Sequence, residues 1–146
     1  MDAYSPNPAA LLDRRWNILY ANTDYLRVLQ GLDAQDDNFL DWLFLDDNSR
    51  SVVIDYPSEA LHLIGRFRFV CVAHRDDPEI MELLQHLTGD PLFARGWKDA
   101  VTVLADGPAV TPMCWHDHDT GNIFRVSEEP VPGTEWLTLQ VAVPIP

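Results

Sequence analysis

The sequence predicts an α+β fold, an antiparallel sheet with helices packed on one face. Short alternating apolar runs stand near both ends of the chain, and a long middle stretch carries apolar residues at helical spacing. Turn-forming clusters separate these segments. Met1 to Pro8 is a polar, Pro-bearing leader, and residues 9–146 are expected to form one domain. Ala9 to Leu12 is apolar, Asp13-Arg14-Arg15 makes a turn, and "WNILYAN" alternates at Trp16, Ile18 and Tyr20, which together predict a hairpin. After Asn22 the period changes. Tyr25, Leu26, Leu29 and Leu32 fall at helical spacing, with Asn22 or Thr23 as cap and Gly31 at the helix end.

"DAQDDN" is expected to be an acidic loop, "NFLDWLFL" an apolar aromatic patch, "DDNSR" a cap-and-turn segment, and "SVVIDY" a short β-branched run. Pro57 and Glu59 mark a helix start. "EALHLIGRFRFVCVAH" fits two periods. Ala60, Leu63, Ile64, Phe67, Val70 and Cys71 share a helical face, while Phe67, Phe69 and Cys71 also alternate; length favours a helix. "DDPEIMELLQHL" is an amphipathic helix with Pro78 near its first position and Ile80, Leu83, Leu84 and Leu87 on one face. "PLFARGWKDA" gives a shorter helix. From Val101 the texture turns β, with "VTVL", "VTPMCWH", "NIFRVS" and "WLTLQVAVP" predicting three or four strands.

The chain has 146 residues, 47% of them hydrophobic, enough for a core of its own. Its 23 acidic residues against 10 basic ones give a net charge of −13. Such a surface repels phosphate backbones and anionic lipids, which argues against direct nucleic-acid binding. Two cysteines, Cys71 and Cys114, make no disulfide framework, and no apolar leader or membrane-length run stands in the sequence. A cytoplasmic location is the expectation.

No catalytic constellation emerges. The chain lacks a G-x-S-x-G elbow, a GxGxxG and a P-loop. The carboxylate pairs Asp46-Asp47 and Asp76-Asp77 suit turns and helix caps. Cys114, His116 and His118 alternate, so on a strand they would share one face. A fourth metal ligand is not placed, and no metal site is expected. His62, His74 and His86 are scattered, which leaves a haem or metal sensor as the weakest option. The chain is expected not to be an enzyme.

The aromatics are spread over every predicted element. Filling the core is their ordinary role. The functional expectation is that Trp42, Phe44, Ile64, Phe67, Phe93, Trp97 and Trp115 line an apolar pocket between sheet and helices. Arg68, with Arg66 or Arg95 as alternatives, would then meet a carboxylate head.

The opening stretch "LLDRRWNILYANTDYLRVLQG" resembles the start of a PAS domain through Asp13, Ile18, Asn22 and Gly31. The middle, "NFLDWLFLDDNSRSVVIDYPSEALHLIGRFR", resembles the ligand-binding domain of MmyB-like transcription regulators. Asn38, Trp42, Leu43, Phe44, Asp46, Arg50, Asp55 and Tyr56 stand at that family's places. Asp76, Asp77, Pro78, Leu83, Leu87, Phe93 and Trp97 match its next block, and His118 with Gly121 a His-x-x-Gly hairpin. Pro57 departs from a usual acidic residue and Asp119 from a usual Pro. The resemblance spans roughly Pro8 to Pro144. It implies a sensor that binds a small apolar or fatty-acid-like molecule with no other cofactor. It also implies a homodimer, with DNA reached only through a helix-turn-helix domain absent from this chain. The alternative is a ligand-free dimerisation or partner-binding module whose interface would be an exposed apolar face of "NFLDWLFL".

Overall fold

The alternation at the start of the chain becomes a β-hairpin. In a computed structural model, which describes residues 2–32, 37–105, 112–134 and 136–146, β1 (Ala9–Asp13) pairs antiparallel with β2 (Ile18–Ala21). The loop between them is organised by Asp13. Its carboxylate accepts from the Arg15 amide at 2.8 Å and the Asn17 amide at 3.0 Å. Trp16 sits in this loop at φ 62° rather than in the strand, a left-handed conformation unusual for a bulky residue. The predicted alternation through Trp16 therefore starts two residues too early. The β1–β2 register also shifts beside Leu11 and Leu12, which breaks the two-residue period and leaves Leu19 and Tyr20 both exposed.

The period change at Asn22 is a strand giving way to helix α1 (Thr23–Val28). The Asn22 Oδ1 accepts from the Tyr25 amide at 2.9 Å and the Ala9 amide at 3.1 Å, and its Nδ2 donates to the Asn7 carbonyl at 2.9 Å. One buried side chain thus caps a helix and ties down the chain entering β1. Gly31 follows at φ 90°, and a Cβ there would strike the Asp46 carboxylate and approach Asn48 Nδ2 to 2.7 Å. "NFLDWLFL" forms helix α2 (Phe39–Leu45), capped by Asn38. Helix α3 (Ser49–Val52) is one turn, and Val53 bridges to Trp115.

Helix α4 (Tyr56–Ala73) resolves the ambiguous stretch in favour of length: Phe67 and Cys71 are buried while Phe69, in strand phase with them, is 67% exposed. Helix α5 (Pro78–Leu87) begins at the expected cap, Asp77 accepting from the Glu79 amide at 3.0 Å. Helix α6 (Pro91–Ala105) runs past its expected end and takes in "VTVL". The strand expected there is not formed. Phe93, Trp97, Val101 and Leu104 keep helical spacing, and the lower helix propensity of Val and Thr, a few tenths of a kcal/mol each, does not offset continued hydrogen bonding. Asp33–Asp36 of the expected acidic loop, and most of "ADGPA", lie outside the described residues.

Strands β3 (Cys114–His116), β4 (Ile123–Pro130) and β5 (Leu137–Pro144) complete an antiparallel sheet of order β2-β1-β5-β4-β3. The fold class is α+β, as predicted. Leu12, Trp115, Phe124, Val126, Gln140 and Ala142 lie on one phase of the strands and are buried, whereas Arg125, Ser127 and Glu129 on the other phase of β4 are exposed. The chain divides into two units, Met1–Ile54 with Pro112–Pro146, and Asp55–Thr111. The first holds the sheet with α1 to α3, the second holds α4 to α6.

Candidate functional site

In the first unit the covered face of the sheet carries an aromatic cluster. Trp115 on β3 is 0% exposed. The Tyr25 ring from α1 meets it edge-on with centroids 5.6 Å apart, and Phe39 from α2 lies at 6.3 Å. Phe39 in turn leans on Trp42 at 5.7 Å. Two polar groups of the cluster are paired. Trp42 Nε1 donates to the Gln30 carbonyl at 2.8 Å, and the Tyr25 hydroxyl donates to Gln140 Oε1 on β5 at 2.7 Å. A third is not: the buried Trp115 Nε1 has no acceptor among the described residues. Burial first, and then the Glu128 charge, push the Tyr25 hydroxyl well above its ordinary pKa, so it stays a neutral donor.

The β3–β4 turn is fastened to α1 by charge. Arg27 Nη1 lies 2.8 Å from Asp117 Oδ1 and 3.2 Å from Asp119 Oδ2. Burial pushes the Asp117 carboxyl up. Hydrogen bonds from Arg27, Thr120 and the Asp119 amide, with the Arg27 charge, outweigh it and hold the group at about 2.

The second unit has its own cluster. Phe67 from α4 lies 6.2 Å from both Phe93 and Trp97 of α6, and those two rings stack at 5.7 Å. The Arg68 guanidinium sits 5.0 Å from the Trp97 centroid and donates to the Trp97 carbonyl at 3.2 Å. Close approach of the helices depends on Gly96, where a Cβ would come within 2.6 Å of Ile64 Cδ1 and 2.9 Å of Leu61 Cδ2. Burial is the main influence on Cys71, lifting its thiol to about 11 and making it a poor nucleophile.

The description MmyB-like transcription regulator ligand binding domain matches residues 1–121. The chain belongs to this family. No curated protein matches it. What the family establishes is a regulator's ligand-binding domain.

In this ligand-binding domain the eight expected site residues fall into two groups. Trp42, Phe44 and Trp115 lie in the first unit, and Ile64, Phe67, Arg68, Phe93 and Trp97 in the second. Trp42 and Trp115 are brought together through Phe39. Phe44 is buried on the same helix as Trp42. In the second unit Phe67, Arg68, Phe93 and Trp97 make one contact group, and Ile64 packs where Gly96 passes. Phe39, Leu40, Trp42, Leu43 and Phe44 are all buried, so the exposed apolar face expected for "NFLDWLFL" is not there. Helical wrapping of that octet turns its large side chains inward and leaves Leu45 out.

Sequence reasoning missed Tyr25 as a site residue and Gln140 altogether. The signal for Gln140 was a polar residue in phase with Ala142 on a strand whose alternation buries that phase. Cys114 and His116 share the open phase of β3. His118 lies past the strand, its ring 4.4 Å from that of His116 and its Nε2 2.9 Å from the Ser51 carbonyl. No group of three His, Cys, Asp or Glu among the described residues is placed to hold a metal. No helix among them is long and apolar enough to cross a membrane.

Proposed function

We propose that this domain is a PAS-like sensor that binds a small apolar or fatty-acid-like molecule and alters the dimer geometry of an attached helix-turn-helix. On this reading residues 9–146 act as one ligand-binding domain after a short leader, in the cytoplasm, without catalysing a reaction. The carrying observation is the aromatic cluster of Tyr25, Phe39, Trp42 and Trp115 on the covered face of an antiparallel sheet, within a family defined by ligand binding. Such a lining is apolar with few polar groups, as small-molecule sites are. Each buried methylene of an acyl chain would contribute roughly 0.8 kcal/mol. Phe44 belongs to the proposed lining of the first unit; in the second, Phe67, Phe93 and Trp97 form the apolar group, with Ile64 buried beside Gly96 and Arg68 as its cation.

A ligand can shift such a protein only by binding its two states with different affinity. Native mass spectrometry and solvent extraction of the protein purified from cells test the reading. A retained apolar molecule is expected, with thermal stabilisation when it is added back to stripped protein. Empty protein that no acyl compound stabilises would leave the ligand-free dimerisation module instead.

A further inference from the structure

We propose that the indole N–H of Trp115 is the hydrogen-bond donor that reads the ligand, and that the group it reads is a neutral oxygen acceptor such as an ester or ketone carbonyl. The proposal rests on the ligand-binding reading above and specifies its chemistry. Trp115 is 0% exposed and its Nε1 meets no acceptor among the described residues. A buried donor left without an acceptor forfeits its hydration with nothing in return. The same fold satisfies the comparable donor of Trp42 with the Gln30 carbonyl at 2.8 Å, whereas that of Trp115 is left unmet among the described residues. The edge of Tyr25 and the ring of Phe39 flank Trp115. A molecule bringing both an apolar body and one acceptor oxygen would suit these neighbours.

Charge argues against a free carboxylate at this place. On the strands, the phase shared with Trp115 carries Glu128, which pairs in register with Gln140. Arg125 of β4 stands on the opposite phase, and Arg27 of α1 is engaged by Asp117 and Asp119. The phase of β3 to β5 that Trp115 shares carries no cation, so a ligand anion there would have no counter-charge from those strands, whereas a neutral carbonyl needs one donor and finds it.

The test uses three chain-matched probes: methyl decanoate, sodium decanoate and undecane. The five Trp side chains give separate indole N–H cross-peaks in heteronuclear NMR, and that of Trp115 can be assigned through its own backbone resonances. Methyl decanoate is expected to move the Trp115 cross-peak downfield, decanoate to move it less, and undecane to leave it near its starting place. Trp115→Phe, which keeps the ring and deletes the donor, should weaken methyl decanoate about tenfold and undecane little.

If all three probes raise Tm while the Trp115 cross-peak stays still, the donor is met by water alone and the inference fails, with ligand binding intact. If decanoate moves that cross-peak more than the ester does, the neutral class is wrong. If none of the probes binds, the ligand-binding reading falls with it. The wild-type NMR arm stands even where the variant does not fold.

Discussion

Both units bury a cluster of rings, but they differ in what joins their segments. The first is assembled from segments far apart in the chain, and its joints are polar side chains: Asn22 to Ala9 and Asn7, Tyr25 to Gln140, Arg27 to Asp117. The second is one continuous stretch whose helices meet through Phe67, Phe93 and Trp97, with Gly96 allowing the approach. Burial of rings is non-directional and tolerates adjustment. A hydrogen bond between distant segments fixes register as well as proximity. The sheet of the first unit therefore has its geometry set by specific partners, and the helices of the second by the shapes of the rings between them.

The largest effect is expected in the second unit. Phe67→Ala should cost about 3–5 kcal/mol, since it removes a fully buried ring with two aromatic neighbours. Hydrogen exchange should rise in α4 to α6 more than in β4 and β5. Equal loss in both would merge the two units into one cooperative body.

Asn22→Ala should cost about 2–3 kcal/mol through a lost cap and two further hydrogen bonds, read by urea denaturation. Asn22→Asp keeps the acceptor, loses the donor to Asn7 and should fall between. A loss below about half a kcal/mol would show that the polar joints of the first unit are incidental.

Acid should act on that unit next. The folded Asp117 carboxyl, at about 2, lies below its ordinary value of 3.8. Its contribution, on the order of 2 kcal/mol, is therefore present above about pH 4 and lost as pH falls towards 2. Asp117→Asn should remove that contribution at neutral pH and flatten the acid limb of a stability-against-pH curve. An unchanged limb would assign acid sensitivity to other groups.

The smallest expected effect is Arg68→Met, about 0.5–1 kcal/mol for the cation over Trp97. Decanoate affinity lost along with it would give Arg68 a ligand role as well.

Legibility in the sequence followed the same division. The helices of the second unit announced themselves by periodicity and by Pro at their starts. The miss there, "VTVL", arose because β-branched residues look like strand unless the preceding helix is followed through Trp97. In the first unit the hairpin, the Asn22 cap and β3 to β5 were readable, since alternation and turn chemistry are local. Trp16 was not, because its left-handed backbone is set by hydrogen bonds to Asp13 rather than by its own preference. The candidate site could be proposed from composition and from a family resemblance. Trp115 could be picked out as a candidate aromatic, but its lack of an acceptor depends on what the fold brings near it.

The position of β5 bears on how the molecule comes to be. It lies between β1 and β4, so the opening hairpin and the β3–β4 pair share a sheet only through the strand that follows them both. On the ribosome β1 must wait for Leu137–Pro144 to emerge before it has a strand other than β2 to pair with. A two-stranded ribbon is marginal in water. Helices α4 to α6 need no such wait. The sheet face that carries Trp115 is therefore incomplete until β5 has been made.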